Sequence, residues 1–310
     1  APLEMTGDFS AQMIAGIDQF LLRDLDNARL NRPARWQRDL SSPTAYIRSV
    51  QPNRERFRTA IGAVDEPPAK IEMEFIATTR EPALVAESAT HRTYAVRWRA
   101  FGEVHGEGLL LQPNGPPRAR VIAVPDADQT PEMLAGLVPG IEPAAQHARR
   151  LAASGAQVLI PVLIDRSDTW SGNPRLKRFT NQPHREWIYR PAYQIGRHII
   201  GYEVQKVRAA LNWFAAENAS GPTVPIGVTG YAEGGLIALY AAAVDPRIDA
   251  ALVSGYFASR QQVWQEPIYR NVFGLLREFG DAEIASLIAP RALVVEARAT
   301  PELAGPPPAR

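Results

Sequence analysis

The sequence predicts an α/β protein with a doubly wound, mostly parallel sheet, antiparallel leading strands and an N-terminal helical arm. Short continuous apolar runs indicate strands buried on both faces, and helical periodicities separate these runs. Two earlier segments alternate apolar with charged residues, which is typical of half-exposed strands. The apolar runs lie at residues 121–124, 158–163, 225–229, 250–254 and 292–295.

The first 65 residues are expected to form the helical arm. Within residues 9–25, apolar side chains recur at intervals of three and four, the spacing of one buried helix face. They are Met13, Ile14, Ile17, Phe20 and Leu21. An arginine-rich segment follows, and the breaker Asp65-Glu66-Pro67-Pro68 ends the arm. Residues 66–310 are then expected to form the α/β domain, incomplete at its C-terminal end.

The α/β domain is predicted to begin with antiparallel strands and to continue with alternating strands and helices. The leading strands are predicted near residues 71–75 and 94–98, where the side-chain pattern has a period of two. The succession of strand, helix and strand beyond residue 120 predicts right-handed crossovers and helices on both faces of the sheet.

The composition excludes several function classes. The 310 residues carry 34 Lys and Arg against 33 Asp and Glu, and a net charge of +1 supplies no field that attracts nucleic acid or anionic lipid. The absence of cysteine removes disulfides and cysteine nucleophiles. No apolar run reaches the roughly 20 residues of a membrane span. No phosphate-binding glycine motif and no histidine pair with metal-ligand spacing occur, so we expect neither cofactor nor metal.

The most specific motif is Gly230-Tyr231-Ala232-Glu233-Gly234-Gly235, between an apolar run and a predicted helix. Flanking glycines permit a strained turn and close packing of the helix. The motif is similar to the nucleophile elbow, G-x-S-x-G, of the α/β-hydrolases. With residues 264–271 and 288–293, it resembles the acetyl xylan esterase and dienelactone hydrolase-like branch over residues 70–297. This resemblance predicts a strained backbone at Ala232.

The resemblance implies a carboxylic ester hydrolase acting on carbohydrate esters or lactones, with Ala232 at the nucleophile position. It implies Glu296 as the triad acid, and an oxyanion hole formed by the backbone N–H of Glu233 and that of Ala127 or Asp128. A methyl group cannot attack a carbonyl carbon. The triad histidine should follow the acid, whereas all five histidines precede the elbow. Glu233 is a candidate replacement nucleophile, and an elbow retained only for its geometry is the favoured alternative.

Two loops after predicted strands carry further candidate residues, because ligands bind beyond the carboxyl ends of parallel strands. Asp126 and Asp128 either hold a cation or form a turn before a helix that begins near Thr130. The long loop over residues 165–187 predicts either a wall for a sugar or acidic ligand or a surface insertion pinned by its aromatic residues. Its candidates are Trp170, His184 and Trp187, and Tyr231 on the elbow is a further binding candidate.

Two functions remain open at this point. The first is a catalytically silent hydrolase fold that serves as a binding or structural module. The second is an active acyl-ester hydrolase in which Ala232 is an engineered replacement and the chain continues. A small-molecule or carbohydrate ester ligand is expected. The opening Ala-Pro-Leu is compatible with a cleaved export signal, hence a secreted or periplasmic protein, and equally with a cytoplasmic one.

The last predicted strand raises an expectation about partners. Residues 297–310 contain four prolines and no strand pattern, so they cannot pair with residues 292–295. An open apolar sheet edge promotes aggregation. We therefore expect further polypeptide beyond Arg310, or a partner chain, to cover this edge.

Overall fold

The structure, a computed structural model, describes residues 7–298 and Leu303. Beyond residue 120, helices separate the successive strands of the main sheet, as the sequence predicts. The α-helices are α1 (Phe9–Asn31), α2 (Pro43–Ser49), α3 (Gln51–Ala60), α4 (Pro131–Ala135), α5 (His147–Ala153), α6 (His184–Gln194), α7 (Ile199–Ser220), α8 (Glu233–Val244) and α9 (Asp281–Ser286). The strands are β1 (Glu74–Phe75), β2 (Leu84–Glu87), β3 (His91–Phe101), β4 (Val104–Pro113), β5 (Arg120–Val124), β6 (Gln157–Pro161), β7 (Gly172–Asn173), β8 (Arg178–Phe179), β9 (Ile226–Tyr231), β10 (Ala250–Ser254) and β11 (Ala292–Glu296).

A mixed sheet forms the centre of the molecule, in the order β1-β3-β4-β6-β5-β9-β10-β11, with β2 also pairing with β3. Strands β1 to β4 pair antiparallel, and β4 is antiparallel to β6. From β6 to β11 all neighbours are parallel. The predicted fold class, a mostly parallel sheet with antiparallel leading strands, is therefore confirmed. Strands β7 and β8 form a separate small hairpin.

Helices cover both faces of the sheet, as continuous apolarity of the strands predicts. In β5, Ile122 and Val124 join a core with α7 and α8, whereas Val121 and Ala123 face α4 and α5. The first core also takes in Phe57 of α3, whose ring packs 5.0 Å from that of Tyr240 in α8. Part of the predicted arm thus shares the core of the sheet. No helix among the described residues is long and apolar enough to cross a membrane.

The arm differs from prediction in one respect. Helix α1 forms, capped by the Asp8 side chain, which accepts a hydrogen bond from the Ala11 N–H. However, no residue of α1 is buried, and Met13, Ile14 and Phe20 are 66%, 69% and 59% exposed. The prediction of a buried face over residues 9–25 was wrong for the single chain. Periodicity determines which side of a helix is apolar, and nothing in it specifies what covers that side.

Strand β11 is the last strand of the sheet among the described residues and pairs only with β10 there. Leu252 of β10 and Val294 of β11 lie side by side and are 40% and 56% exposed. The expectation that another segment covers this edge stays a prediction, since most of residues 297–310 lie outside the described part of the chain.

Candidate active site

The turn from β9 into α8 has the geometry of a nucleophile elbow. Ala232 has φ 51° and ψ −113°, a strained conformation for a residue with a Cβ. A Cβ on Gly230 would lie 2.1 Å from the Gly234 carbonyl oxygen, and one on Gly234 would lie 2.2 Å from the Val124 carbonyl oxygen. Only glycine fits either position, because the strand and helix approach so closely. The predicted strained backbone at Ala232 is confirmed.

The Glu233 side chain points away from the turn into a cluster of arginines. Its Oε2 accepts hydrogen bonds from Arg270 Nη2 at 2.8 Å and from Arg166 Nη2 at 3.2 Å, and its Oε1 accepts from Arg185 Nη2 at 3.2 Å. The Glu233 side chain is completely buried. Burial acts to raise its pKa, but the charges of Arg185, Arg270 and Arg166 outweigh this and lower the pKa. Glu233 is an ion-pair centre and is not positioned as a replacement nucleophile.

The Asp126 carboxylate accepts the hydrogen bond of the backbone N–H that an oxyanion would need. The Glu233 N–H donates to Asp126 Oδ1 at 3.0 Å. Arg166 holds the same carboxylate in a two-point contact, Nη1 to Oδ2 at 2.8 Å and Nη2 to Oδ1 at 2.9 Å. Burial acts to raise the pKa of Asp126, but Arg166 and backbone hydrogen bonds from Glu233 and Ala127 lower it overall. Two of the three amides predicted as candidates for the oxyanion hole, those of Glu233 and Ala127, therefore stabilise the ionised Asp126 side chain.

Asp126 and Asp128 are joined by a guanidinium group. Arg166 Nη1 donates to Asp128 Oδ2 at 2.8 Å as well as to Asp126. Among the described residues no group of acidic or histidine side chains could hold a metal. The hypothesis that the Asp126 and Asp128 pair binds a cation was wrong in that form, since Arg166 provides the positive charge. The alternative, a turn before a helix, is supported by the Thr130 side chain, which caps α4.

Glu296 lies at the same end of the sheet as the elbow but two strands away. It is the last residue of β11, in register with Ser254 of β10, which is in register with Tyr231 of β9. Strand spacing separates the Glu296 and Tyr231 backbones by about 9.6 Å. The Ser254 hydroxyl donates to the Glu296 carboxylate. The ring of Tyr231 lies beside Arg298, whose guanidinium carbon is 5.7 Å from the ring centroid.

The long loop places three predicted residues together in a second location. Trp170, His184 and Trp187 line a cavity of about 360 Å³ with Asp165, Leu163 and Ile188. His184 Nδ1 donates to Asp165 Oδ1 at 2.6 Å, while its Nε2 accepts from the Trp170 N–H at 2.8 Å. Trp170 is 76% exposed and Trp187 36% exposed. We call this group the aromatic pocket.

The aromatic pocket is not a catalytic triad. Ser167 Oγ lies 3.3 Å from His184 Nδ1, the nitrogen that also contacts Asp165. A Ser-His-Asp triad needs the serine and the acid on opposite ring nitrogens. The nitrogens of His198 are also both engaged, Nδ1 by the Ile200 N–H and Nε2 by the Asn271 carbonyl. Neither histidine is available as a general base.

Sequence reasoning did not predict that arginines converge on Glu233 and Asp126 and organise the site. Arg166 follows β6, Arg185 is in α6 and Arg270 is in a short 3₁₀ turn. Each is nearly buried, and together they neutralise Glu233 and Asp126. The sequence alone does not single out these three arginines, because it contains many arginines and their convergence depends on tertiary packing.

The comparisons agree with this fold. Residues 107–272, more than half of the chain, match the dienelactone hydrolase family, and the chain belongs to that family. No curated protein sequence matches the chain significantly.

Solved esterase structures share the fold. A Bacteroides fragilis protein assigned as an acetyl xylan esterase superposes with a TM-score of 0.64 at 18% identity, covering 95% of this chain and 77% of its own. Methylesterase BT1017 gives a TM-score of 0.52 at 14% identity, and the match covers 82% of this chain and 52% of that one. A glucuronoyl esterase from Solibacter usitatus gives a TM-score of 0.50 at 14% identity, and the match covers 80% of this chain and 74% of that one. At these identities the likeness establishes the α/β-hydrolase fold.

Proposed function

We propose that this chain is a non-hydrolytic member of the dienelactone hydrolase family that serves as a binding module. The observation that carries the proposal is the hydrogen bond from the Glu233 N–H to the Asp126 carboxylate at 3.0 Å. An oxyanion hole works by presenting free N–H groups to developing negative charge, and removing one donor costs about 10²–10³ in rate. Here the donor is engaged by a carboxylate that would repel an oxyanion.

The other parts of acyl transfer support the same proposal. Ala232 has the elbow backbone but only a methyl group at the nucleophile position, so no covalent intermediate can form there. Glu233 is completely buried among arginines and cannot reach a substrate carbonyl. Glu296 would be the triad acid, but its described partner is Ser254 rather than a histidine. A restored serine would therefore lack a triad histidine among the described residues, and the Glu233 N–H would not be free as an oxyanion donor.

Esterase assays test the absence of hydrolysis. We expect the chain, Ala232→Ser and Glu233→Gln all to hydrolyse p-nitrophenyl acetate at the rate of buffer alone. Activity that appears with Ala232→Ser would show that the chain is an esterase lacking only its nucleophile. Activity of the chain that is lost in Glu233→Gln would make Glu233 the nucleophile. Circular dichroism of each variant controls for loss of fold.

The aromatic pocket is the surface we propose for ligand binding. Exposed indole rings bind the apolar faces of sugars, and a nearby carboxylate can accept hydroxyl hydrogen bonds. Asp165 uses Oδ1 for His184 and Ser167, and its Oδ2 has no partner among the described residues. The fold neighbours named as acetyl xylan and glucuronoyl esterases support a carbohydrate ligand.

Titration with xylo-oligosaccharides, followed by tryptophan fluorescence and calorimetry, tests this assignment. We expect Trp170→Ala to weaken binding at least about tenfold, equivalent to about 1.4 kcal/mol. Trp264→Ala is the matched control, since Trp264 is 51% exposed and does not line the pocket. Equal loss in both variants, or no binding by the chain, would contradict a carbohydrate site at this pocket without bearing on hydrolysis.

A further inference from the structure

Helix α1 presents an apolar surface that the rest of the described chain leaves open. We define the α1 face as Phe9, Met13, Ile14, Ile17, Phe20, Leu21 and Leu25. All but the half-buried Leu25 are 50–69% exposed. With 3.6 residues per turn, these side chains span about 160° of the helix circumference. Monomeric proteins rarely expose a contiguous apolar surface larger than a few hundred Å², so such a face marks an interface.

The α1 face has a two-fold symmetric sequence pattern. Ile17 lies at its centre, and the other members occur in pairs at equal distances before and after it. Ile14 and Phe20 are three residues away, Met13 and Leu21 four, and Phe9 and Leu25 eight. A two-fold dimer uses the same surface of both subunits, so residue i of one copy must match residue j of the other and the reverse.

We propose that two copies of this chain associate through α1, antiparallel, with the two-fold axis beside Ile17. In this arrangement Met13 packs on the partner's Leu21, Ile14 on the partner's Phe20 and Phe9 on the partner's Leu25. The paired residues 9–25 span about 25 Å of helix. Each contact occurs twice, and the two Ile17 side chains meet at the axis.

Polar residues on this side of α1 fit the same register. Ser10 and Asp24 flank the centre of the α1 face and lie seven residues before and after Ile17. The two-fold places Ser10 opposite the partner's Asp24, so a hydroxyl meets a carboxylate rather than an apolar side chain. A shift of the axis from Ile17 to Gln19 would instead place Asp24 opposite Ile14, which costs desolvation energy. The polar pair therefore favours the register at Ile17 over that one.

The charges of α1 disfavour a membrane surface as the alternative partner. Helices that lie on anionic membranes carry many Lys and Arg on their polar side. Helix α1 has Arg23 and Arg29 against Asp18, Asp24 and Asp26. Its net negative charge would be repelled by anionic lipid, whereas a second copy offers a matching apolar surface.

The size of the face sets the expected strength. The α1 face consists of seven side chains, fewer than the roughly 20–30 residues per side of a standard interface. We therefore expect a reversible dimer with a dissociation constant in the micromolar range. Such an equilibrium is visible as a concentration-dependent mass.

Sedimentation equilibrium of the full chain tests dimerisation. We expect Ile17→Asp, which places two carboxylates together at the axis, to weaken the dimer at least about a hundredfold. Leu22→Asp is the matched control, since Leu22 is 42% exposed but lies outside the α1 face. It should dimerise as the chain does. A chain that is monomeric at all concentrations, or equal effects of both variants, would overturn the proposal.

Cross-linking distinguishes the antiparallel register, and the chain contains no native cysteine to interfere. We expect Phe9→Cys and Leu25→Cys chains to cross-link with each other when mixed, and neither to cross-link with itself. Cross-linking of Phe9→Cys with itself would indicate a parallel pair and overturn the two-fold at Ile17. Binding to phosphatidylserine vesicles by a chain that is monomeric in solution would identify a membrane surface and also overturn the proposal.

Discussion

Helices α8 and α1 are both apolar but have opposite environments. Every residue of α8 is buried, from Glu233 at its first turn to Val244 at its end. No residue of α1 is buried, although its apolar residues follow a clear helical period. Helix α8 follows a parallel strand and is packed between the sheet, α7 and α9. The comparison teaches that position in the fold, rather than apolar content, determines whether a helix is covered within its own chain.

The largest expected effect of a single substitution lies at the start of α8. Glu233→Gln leaves Arg166, Arg185 and Arg270 without their shared carboxylate in a buried site. Breaking a buried ion pair from one side costs about 3–5 kcal/mol, so we expect the free energy of unfolding to fall by about that amount.

Urea denaturation measures this change, and Asp18→Asn in α1 is the control. Asp18 is exposed, and exposed substitutions usually change stability by about 0.5 kcal/mol or less. Similar losses in the two variants would mean that the arginine cluster does not depend on Glu233.

The elbow and the arginine cluster differ in how far the sequence predicts them. The elbow follows from glycines at fixed spacing around Ala232, because the close approach of strand and helix is a local property. Arg166, Arg185 and Arg270 come from three separate segments, and their convergence on Glu233 depends on tertiary packing. The mostly parallel sheet was predictable from the apolar runs, because continuous apolarity is also a local property of each strand. Whether the apolar side of α1 is covered could not be predicted, because that depends on what lies outside the helix.

A matched pair of glycine substitutions gives a smaller effect of opposite sign in the two helices. Gly234→Ala in α8 places a Cβ 2.2 Å from the Val124 carbonyl oxygen, and overpacking of this kind costs about 1–3 kcal/mol. Gly16→Ala in α1 has no atom within 4 Å of the new Cβ, and alanine stabilises a helix by about 0.5–1 kcal/mol over glycine.

Thermal and urea unfolding of both alanine variants provide the measurement. Gly16 lies outside the α1 face, so the dimer affinity should not change. A destabilised Gly16→Ala would show that α1 is packed against something on its polar side and would break the contrast with α8.

The last comparison concerns acid stability, to which the buried carboxylates of Asp126 and Glu233 should contribute. The pKa values of Asp126 and Glu233 are lowered in the folded protein: burial acts to raise them, and the arginine charges and hydrogen bonds outweigh it. Their stabilisation is therefore complete above the ordinary carboxyl pKa of about 4 and is lost as the pH falls through the lower folded values. Each unit by which the pKa is lowered contributes about 1.4 kcal/mol.

We expect Asp126→Asn to start from a lower stability and to lose less between about pH 5 and pH 2, because one of these two carboxylates no longer titrates. Melting temperature at each pH is the measurement, and Asp18→Asn, which removes an exposed carboxylate from α1, is the comparison variant. Parallel profiles for the chain and Asp126→Asn would mean that Asp126 is protonated beside Arg166, and the amide of Glu233 would then face a neutral acid instead of a carboxylate.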